Sequence, residues 1–598
     1  MKNIFLLFSK SEKNKILILL FGIFIHGLIE ITSIASILPF MSVVLDSSII
    51  NTNIILSNLY NFFNFSSHNN FLIALGSIVF LLLLISNAYA AFIFWWITKF
   101  VQFQSYRLSK KIFNNYLAQS YIFFLNRNSS ELSKNVLTEV NRVIIGVIYP
   151  MLIAIARIAI GLFILILLLY VNPKLTAIIS FIFITTYGIV YYFVREYLWS
   201  IGKLSTQATF EKYKFINEAF SGIKDIKLRG TESEFIEKYS LPAEKFAKYS
   251  TISSVISLLP RYAIETLAFG GILLIVIFLI STSENFMSAI PLVALYAVAG
   301  YRVMPGIQQI YHSIVQIRYN APALDILLKD LGKNLSLPKK SDSESNSLLK
   351  IKSTIQFKSV SFKYSNTDNL ILENINIKIK TNSVTAFVGE TGSGKTTLVD
   401  ILLGLLPTNK GGIFFDEIKL ESNNLNSWQK KLGYVPQNIF LTDDTIKNNI
   451  AFAVPEDQID QQKIINAARL AELDDYISNL PDKYNAYVGE RGIRISGGQM
   501  QRIGIARALY NNPEILVLDE ATSALDNVTE KKIMKSINKL SKDKTIIIIA
   551  HRLSTIKNCD QIYLLDKGKV SAQGSYNELI KNSKIFYDMV CANDGNNN

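Results

Sequence analysis

Six apolar stretches, each long enough to cross a bilayer, fill the first half of this chain, and they limit what it can fold into more than any other feature. A span needs about 20 helical residues, because hydrocarbon offers no water to satisfy an open backbone. The stretches cover residues 16–45, 71–97, 143–171, 175–193, 255–280 and 289–310. The third and fourth are separated by Asn172-Pro173-Lys174 alone, a turn signal that makes them a helical hairpin. One such run could be a buried core helix. Six in succession, in a chain that is 50% hydrophobic with a mean hydropathy of +0.27, indicate a membrane domain.

Placement of Lys and Arg sets the orientation. Lys2, Lys10, Lys13 and Lys15 precede the first run. The second-to-third connection carries Lys99, Arg107, Lys110, Lys111, Arg127, Lys134 and Arg142, and the fourth-to-fifth carries Arg195, Lys203, Lys212, Lys214, Lys224, Lys227 and Arg229. The alternate connections, residues 46–70, 172–174 and 281–288, are nearly free of them. Both termini are therefore expected in the cytoplasm. The net charge of +14 then belongs to a membrane surface rather than to a nucleic-acid partner. Residues 1–15 lack the short apolar run and cleavage site of a signal peptide, so the first stretch reads as a retained span. Cys559 and Cys591 are the chain's two cysteines, which give no disulfide framework and suit a reducing compartment.

The two long basic connections continue the helices beyond the membrane, with short elements at residues 116–124 and 221–228 at their tips. Residues 54–65 space Ile55, Leu59, Phe62 and Phe63 at helical intervals without a charge. They form either an amphipathic helix on the outer membrane surface or a loop folded against the spans. The expected organisation is a membrane domain over residues 1–330, a polar Ser- and Pro-containing linker over 331–350, and a second domain over 351–598 in which short β-branched runs alternate with helical segments, as in an α/β fold.

That second domain carries Gly389-Glu390-Thr391-Gly392-Ser393-Gly394-Lys395-Thr396-Thr397, a match to G-x-x-x-x-G-K-[ST]. It lies between a strand at residues 384–388 and a helix from Leu398 onward. Backbone N–H groups of such a loop converge on phosphate oxygens at a helix N-terminus. Lys395 would reach the β- and γ-phosphates of ATP, and Thr396 would ligate Mg²⁺. A second apolar strand, residues 516–518, ends in Asp519-Glu520. Asp519 suits Mg²⁺, and Glu520 suits the water that attacks the γ-phosphate.

With Ile495-Ser496-Gly497-Gly498-Gln499 between these two motifs, residues 355–579 resemble an ATP-binding cassette, and the whole chain resembles an ABC exporter half-transporter. The resemblance implies an all-α six-helix membrane domain followed by an α/β P-loop domain. It also implies further roles. Tyr364 resembles the aromatic that stacks on adenine, and Gln437 the Q-loop glutamine that contacts Mg²⁺ and the membrane domain. Residues 488–492 resemble the exporter X-loop, and Ser523-Ala524-Leu525-Asp526 the D-loop. His551 resembles the switch histidine at the γ-phosphate. Ser496, Gly497, Gly498 and Gln499 would close on ATP held by a second subunit, so a homodimer is implied, with a heterodimer as the alternative. Ile495 stands where the family has Leu, a swap that keeps size and apolarity.

Ionisable residues inside spans are costly and usually functional. They are His26, Glu30, Arg157, Arg261, Glu265 and Arg302. His26–Glu30 and Arg261–Glu265 are spaced i,i+4 and could each be self-satisfied. Arg157 and Arg302 have no such neighbour, and arginine suits phosphate or pyrophosphate. Residues 24–46, Leu259-Pro260-Arg261 and residues 294–305 are similar to bacterial flippases for lipid-linked oligosaccharides. That resemblance implies a polyprenyl-pyrophosphate oligosaccharide turned from the cytoplasmic to the outer leaflet of the inner membrane, with Arg261, Arg302 and Arg157 as candidate substrate residues. One departure is that residues 71–97 contain no arginine. Export of a peptide, a hydrophobic drug or a lipid A-like lipid remains the alternative, while a soluble ABC ATPase acting on nucleic acid is opposed by the six runs.

Overall fold

The computed structural model describes residues 7–65, 67–171, 173–282, 290–332, 353–364, 367–522, 525–550 and 553–594. It divides into two compact units, one of residues 1–119 and 123–339 and one of Ser120–Ile122 with residues 340–598.

Among the described residues, the regular elements of the first unit are all helices. Ser9 starts the first of them with a capping box, its hydroxyl taking Glu12 N–H while Glu12 reaches back to Ser9 N–H. Helix Lys10–Ala35 stops one residue before helix Ile37–Leu45, so the first apolar run is two pieces. Pro39 explains the break: it lacks an N–H, and its ring would strike the carbonyl of Ala35 in a continuous helix. Asn53 caps helix Ile54–Phe62 by accepting from the N–H groups of Ile55 and Leu56. Residues 54–62 are therefore helical, and they also fold against the spans, with Leu56 buried among Val43, Ile50 and Phe71, while Ile54, Ile55 and Phe62 stand on the exposed side. Helices His68–Leu117, Pro173–Ser221 and Glu232–Thr282 have 50, 49 and 51 residues. At 1.5 Å per residue each is about 75 Å long, far beyond the ~30 Å of hydrocarbon. Among the described residues, Lys10–Leu45, His68–Leu117 and Ser129–Val171 are long and apolar enough to span. The fourth, fifth and sixth runs lie in helices Pro173–Ser221, Glu232–Thr282 and Ile290–Gly332, most of the side chains from 271 to 299 lying outside the described residues.

Two π-helical stretches, Asn135–Glu139 and Ile144–Ile148, precede helix Tyr149–Val171. Helix Pro173–Ser221 meets helix Ile290–Gly332 at Gly202, where an added Cβ would sit 2.0 Å from the Tyr319 carbonyl oxygen. The crossing needs glycine there.

Among the described residues the second unit holds ten strands: β1 Thr354–Phe362, β2 Leu372–Lys380, β3 Val384–Val388, β4 Lys410–Phe415, β5 Ile418–Lys419, β6 Leu432–Val435, β7 Ile515–Asp519, β8 Thr545–Ile549, β9 Gln561–Asp566 and β10 Lys569–Gly574. One sheet has the order β2-β1-β4-β5 and is antiparallel; the other has the order β10-β9-β3-β8-β7-β6. In the latter β9, β3, β8, β7 and β6 are parallel and β10 closes the edge antiparallel. Parallel strands buried on both faces read as near-continuous apolar runs, and β3, β7 and β8 are buried at every residue, Thr385, Asp519 and Thr545 included. Alternate residues feed two cores. Ala386, Leu516, Leu518, Ile546 and Ile548 enter one, and Phe387, Ile515, Val517, Ile547 and Ile549 the other. The carboxyl ends of β3, β8 and β7 therefore emerge side by side, at the edge where open α/β sheets bind ligands.

Candidate functional site

Three chain segments leave that edge together. Residues 389–394 follow β3 and lead directly into helix Lys395–Leu402, so the helix begins three residues earlier than Leu398, with Lys395-Thr396-Thr397 as its first turn. Gly389 has φ +155°, and a Cβ on it would lie 2.2 Å from the Leu565 carbonyl oxygen, so the turn admits no other residue. Lys395 is buried, and its Nζ donates to the carbonyls of Gly389 and Glu390 at 2.8 Å each, which holds the ammonium within the loop. Burial lowers its pKa, opposed by the carboxylates of Glu520 and Asp519. Glu390, Thr391, Gly392 and Thr396 are exposed on the outer side of the loop, while Ser393 and Thr397 are buried. Thr397 Oγ1 lies 3.3 Å from the hydroxyl of Tyr364, whose ring meets Phe362 edge-on.

Asp519 ends β7, 4% exposed, and accepts from the Tyr434 hydroxyl at 3.4 Å. Glu520 N–H donates to the Ile549 carbonyl of β8, and its side chain accepts from Gln437 Nε2 at 2.8 Å. The Glu520 backbone is left-handed, with φ +49°, a conformation that costs a non-glycine residue on the order of 1–3 kcal/mol and is found at functional sites. Lys395, Tyr364, Asp519, Glu520 and Gln437 thus gather at one sheet edge. Ser496, Gly497, Gly498 and Gln499 lie at the start of another helix. Ser496 caps helix Gly497–Tyr510, bonding reciprocally with Gln499, and both Ser496 and Gly497 are exposed. His551, Ser523 and Ala524 lie outside the described residues, though β8 leads directly to the first of them. Sequence reading missed Tyr434, which precedes Val435-Pro436-Gln437 on β6, and Asp400, two turns into the helix that starts at Lys395.

Whether ATP and Mg²⁺ suit this edge can be judged from the residues present. Ser393 Oγ is buried and makes no hydrogen bond to a described residue, in the middle of a glycine-rich turn at a helix N-terminus. Asp519 and Thr396 bring a carboxylate and an exposed hydroxyl, hard oxygen donors of the kind Mg²⁺ takes. The donor set fits both groups.

Asp400 gives a pH test. Burial, with the Asp519 carboxylate adding, pushes its pKa up to about 6. An unfolded Asp titrates near ~3.9. Between those values the folded chain binds more protons than the unfolded, so this group's contribution to stability falls as pH rises to 6 and stays lost above it. Asp400→Asn is expected to melt above wild type at pH 7.5, with the gap closing toward pH 4.5. A gap that does not change with pH would show the carboxyl is not held up in the folded chain.

In the first unit Arg157 donates Nε–H to Gln309 at 3.3 Å. Arg261 is paired with Glu265 at 2.6 Å, the i,i+4 self-pairing anticipated from the sequence, yet its side chain stays 53% exposed. It lines a cleft of about 280 Å³ with Gln309 and His312. The Arg302 side chain lies outside the described residues. Glu30 accepts from the Ser86 hydroxyl, and the His26 ring lies 6.0 Å from Tyr89.

Comparison with known proteins adds the following. The ABC transporter family model matches residues 372–523, and the model for the ABC transporter transmembrane region matches residues 16–248. The heterocyst differentiation ATP-binding protein HepA of Nostoc sp. is 32% identical over 486 residues, 79% of this chain and 77% of that protein. The ATP-dependent lipid A-core flippase of Wigglesworthia glossinidia brevipalpis is 33% identical over 371 residues, 62% and 63% of the two chains. The leukotoxin export ATP-binding protein LtxB of Aggregatibacter actinomycetemcomitans is 39% identical over 299 residues, half of this chain, and the match spans 41% of that protein's length. Among solved structures, a bacterial Atm1-family ABC exporter with ATP bound superimposes with a TM-score of 0.77 at 22% identity, over 95% of this chain and 97% of that one, which is a likeness of fold.

Proposed function

The chain belongs to the ABC transporter family, and from that premise we propose that two copies of it form an ATP-driven exporter that turns a lipid-linked, polyprenyl-pyrophosphate oligosaccharide from the cytoplasmic to the outer leaflet of a bacterial inner membrane.

For the ATP half, the supporting observation is the convergence of Lys395, Asp519, Glu520 and Gln437 at one sheet edge. Backbone N–H groups of residues 389–394, with Lys395, would hold the phosphates, and Tyr364 would pack on the adenine. Thr396, Asp519 and Gln437 would hold Mg²⁺. Bound there, the metal would neutralise phosphate charge. Glu520 accepts a proton from the attacking water, and Gln437, bonded to the same carboxylate, fixes its direction. His551 would stand at the γ-phosphate. Ser496 and Gly498, on an exposed capped helix start, would complete the site of the second copy, so each cassette serves its partner.

For the cargo, the reading is carried by Gln309, which accepts from Arg157 and lines the same cleft as Arg261, so that two arginines on different helices lie near one space. Arginine at such a place suits a pyrophosphate, whose oxygens accept bidentate bonds. Similarity to a lipid A-core flippase supports a lipid cargo. Similarity to leukotoxin and α-hemolysin export proteins favours a second reading, a polypeptide cargo.

Proteoliposomes with a labelled polyprenyl-pyrophosphate oligosaccharide separate the two. Wild type is expected to flip it with ATP, Glu520→Gln to lose flipping together with ATP turnover, and Arg261→Ala/Arg302→Ala to lose flipping while turning over ATP. A wild type that hydrolyses ATP and moves none of the lipid would rule the oligosaccharide out and leave the polypeptide reading.

A further inference from the structure

The first unit contains a cavity of about 950 Å³ at the ends of the apolar runs that carry the basic connections. Its walls come from residues 138–153 and from helices Pro173–Ser221, Glu232–Thr282 and Ile290–Gly332. Among the described residues, no Asp or Glu lines it. Two cations do, and they differ. Arg142 is spoken for, donating to Asn320 and Thr206 and backed by Glu139 at 3.8 Å. Lys212 makes no ion pair with a described residue, and its ammonium lies 4.5 Å over the Phe246 ring. Arg142 shares the Glu139 carboxylate with Lys134, so the chamber wall carries net positive charge, and Lys212 is the cation there without an ion pair to a described residue. Around it stand aromatic rings that end in hydroxyls, Tyr213, Tyr239 and Tyr319, and amides such as Asn141 and Gln316. Gln309 and His312 line both this chamber and the Arg261 cleft, so the two spaces adjoin.

We propose that this chamber is a loading site for an anionic saccharide, a sugar that carries a phosphate or diphosphate. A wall with a free ammonium and no carboxylate repels cations and attracts anions. Lysine is a compact point charge for a phosphate oxygen, and it is already desolvated on one side by the Phe246 ring. Aromatic faces pack on the C–H faces of sugars, while phenol and amide groups bond the hydroxyls. The volume is within the range of small-ligand sites, enough for a few sugar rings. The inference rests on the flippase reading above, for which it names the place the cargo head meets before the arginines. The same chemistry could arrive as a lipid head group or as a soluble sugar phosphate.

The test is probe binding to the full-length protein in detergent, followed by fluorescence polarisation, beside the flipping assay. The probes are a labelled disaccharyl diphosphate bearing a short prenyl chain, the same compound without the chain, and inorganic pyrophosphate as competitor. Lys212→Ala is expected to weaken saccharyl diphosphate binding about tenfold, or ~1.4 kcal/mol. Lys212→Arg should stay within about threefold of wild type on the charge it keeps. Lys214→Ala, whose side chain pairs with Glu218 outside the chamber, should change nothing. Tyr239→Leu should weaken the saccharyl probe while leaving pyrophosphate competition as it is. Tighter binding of the prenylated probe identifies the lipid head as the source, and equal binding a soluble sugar phosphate. Wild-type affinity in Lys212→Ala, or competition by pyrophosphate as strong as by the saccharyl compound, overturns the proposal. Unimpaired flipping by Lys212→Ala overturns it and leaves the flippase standing, whereas probe binding without flipping by wild type removes the flippase and leaves the chamber.

Discussion

Glu520→Gln is expected to lower ATP turnover by about a hundred- to a thousandfold while nucleotide still binds. A positioned general base contributes roughly 10²- to 10⁴-fold, and glutamine keeps the shape of the side chain but has no site for the proton. Its carbonyl oxygen can still accept from Gln437, so the contact now made at 2.8 Å survives the change. The left-handed backbone at position 520 allows the chemical and structural parts to be separated. Glu520→Gly relieves the backbone and removes the base, so it should be as inactive as the glutamine variant and melt no lower than wild type. Glu520→Gln should be inactive at unchanged stability. Turnover rates and binding of a fluorescent ATP analogue, measured on the same preparations, decide the matter. Turnover within tenfold of wild type in either variant would mean that Glu520 does not take the proton.

The parts of this protein that sequence revealed well are those where one physical pattern dominates. Residues 384–388 and 545–549 are strands β3 and β8 to the residue, because a parallel strand buried on both faces selects a short, mostly β-branched apolar run in which threonine is the one polar residue type present. The glycine-rich loop was legible because a tight turn between strand and helix restricts residue type at its glycines, and Gly389, Gly392 and Gly394 all have positive φ. Boundaries were harder. Apolarity alone runs unbroken through residues 16–45, and the break at Ser36 depends on the ring of one proline. The helix after the phosphate loop begins at Lys395, where the missing signal was the cap at Gly394 rather than any apolar period. Least legible were contacts between distant residues. Lys134 and Arg142 read as two of many basic residues in a solvated connection, and Lys212 likewise. In the folded chain Lys134 is buried on Glu139, Arg142 braces a wall, and Lys212 alone is left facing a cavity. Composition counted these charges and could not tell which of them had partners.

Glu139 is the member of that group whose loss should cost most. Its side chain is fully buried in the first π-helical stretch, 3.4 Å from Lys134 Nζ and 3.8 Å from Arg142 Nη1. Neither carboxylate oxygen has a hydrogen-bond partner among the described residues, so the two cations are what hold the charge there. Lys134 is itself 4% exposed and cannot turn to water. Removing one side of a buried pair leaves the other uncompensated, a loss of about 3–5 kcal/mol, whereas replacing both by apolar groups of like size is often neutral. Glu139→Leu is therefore expected to lower the melting temperature of the full-length protein sharply or to prevent its accumulation in the membrane. Adding Lys134→Met should recover most of the loss, since Arg142 keeps its bonds to Asn320 and Thr206. Lys134→Met alone should cost less than Glu139→Leu alone, because Arg142 still faces the carboxylate. Thermal melts of the three variants in one detergent give the comparison. A double variant no more stable than Glu139→Leu would mean that the glutamate is needed for the π-helical backbone rather than for its ion pairs, and the wall of the chamber would then depend on helix geometry instead of charge.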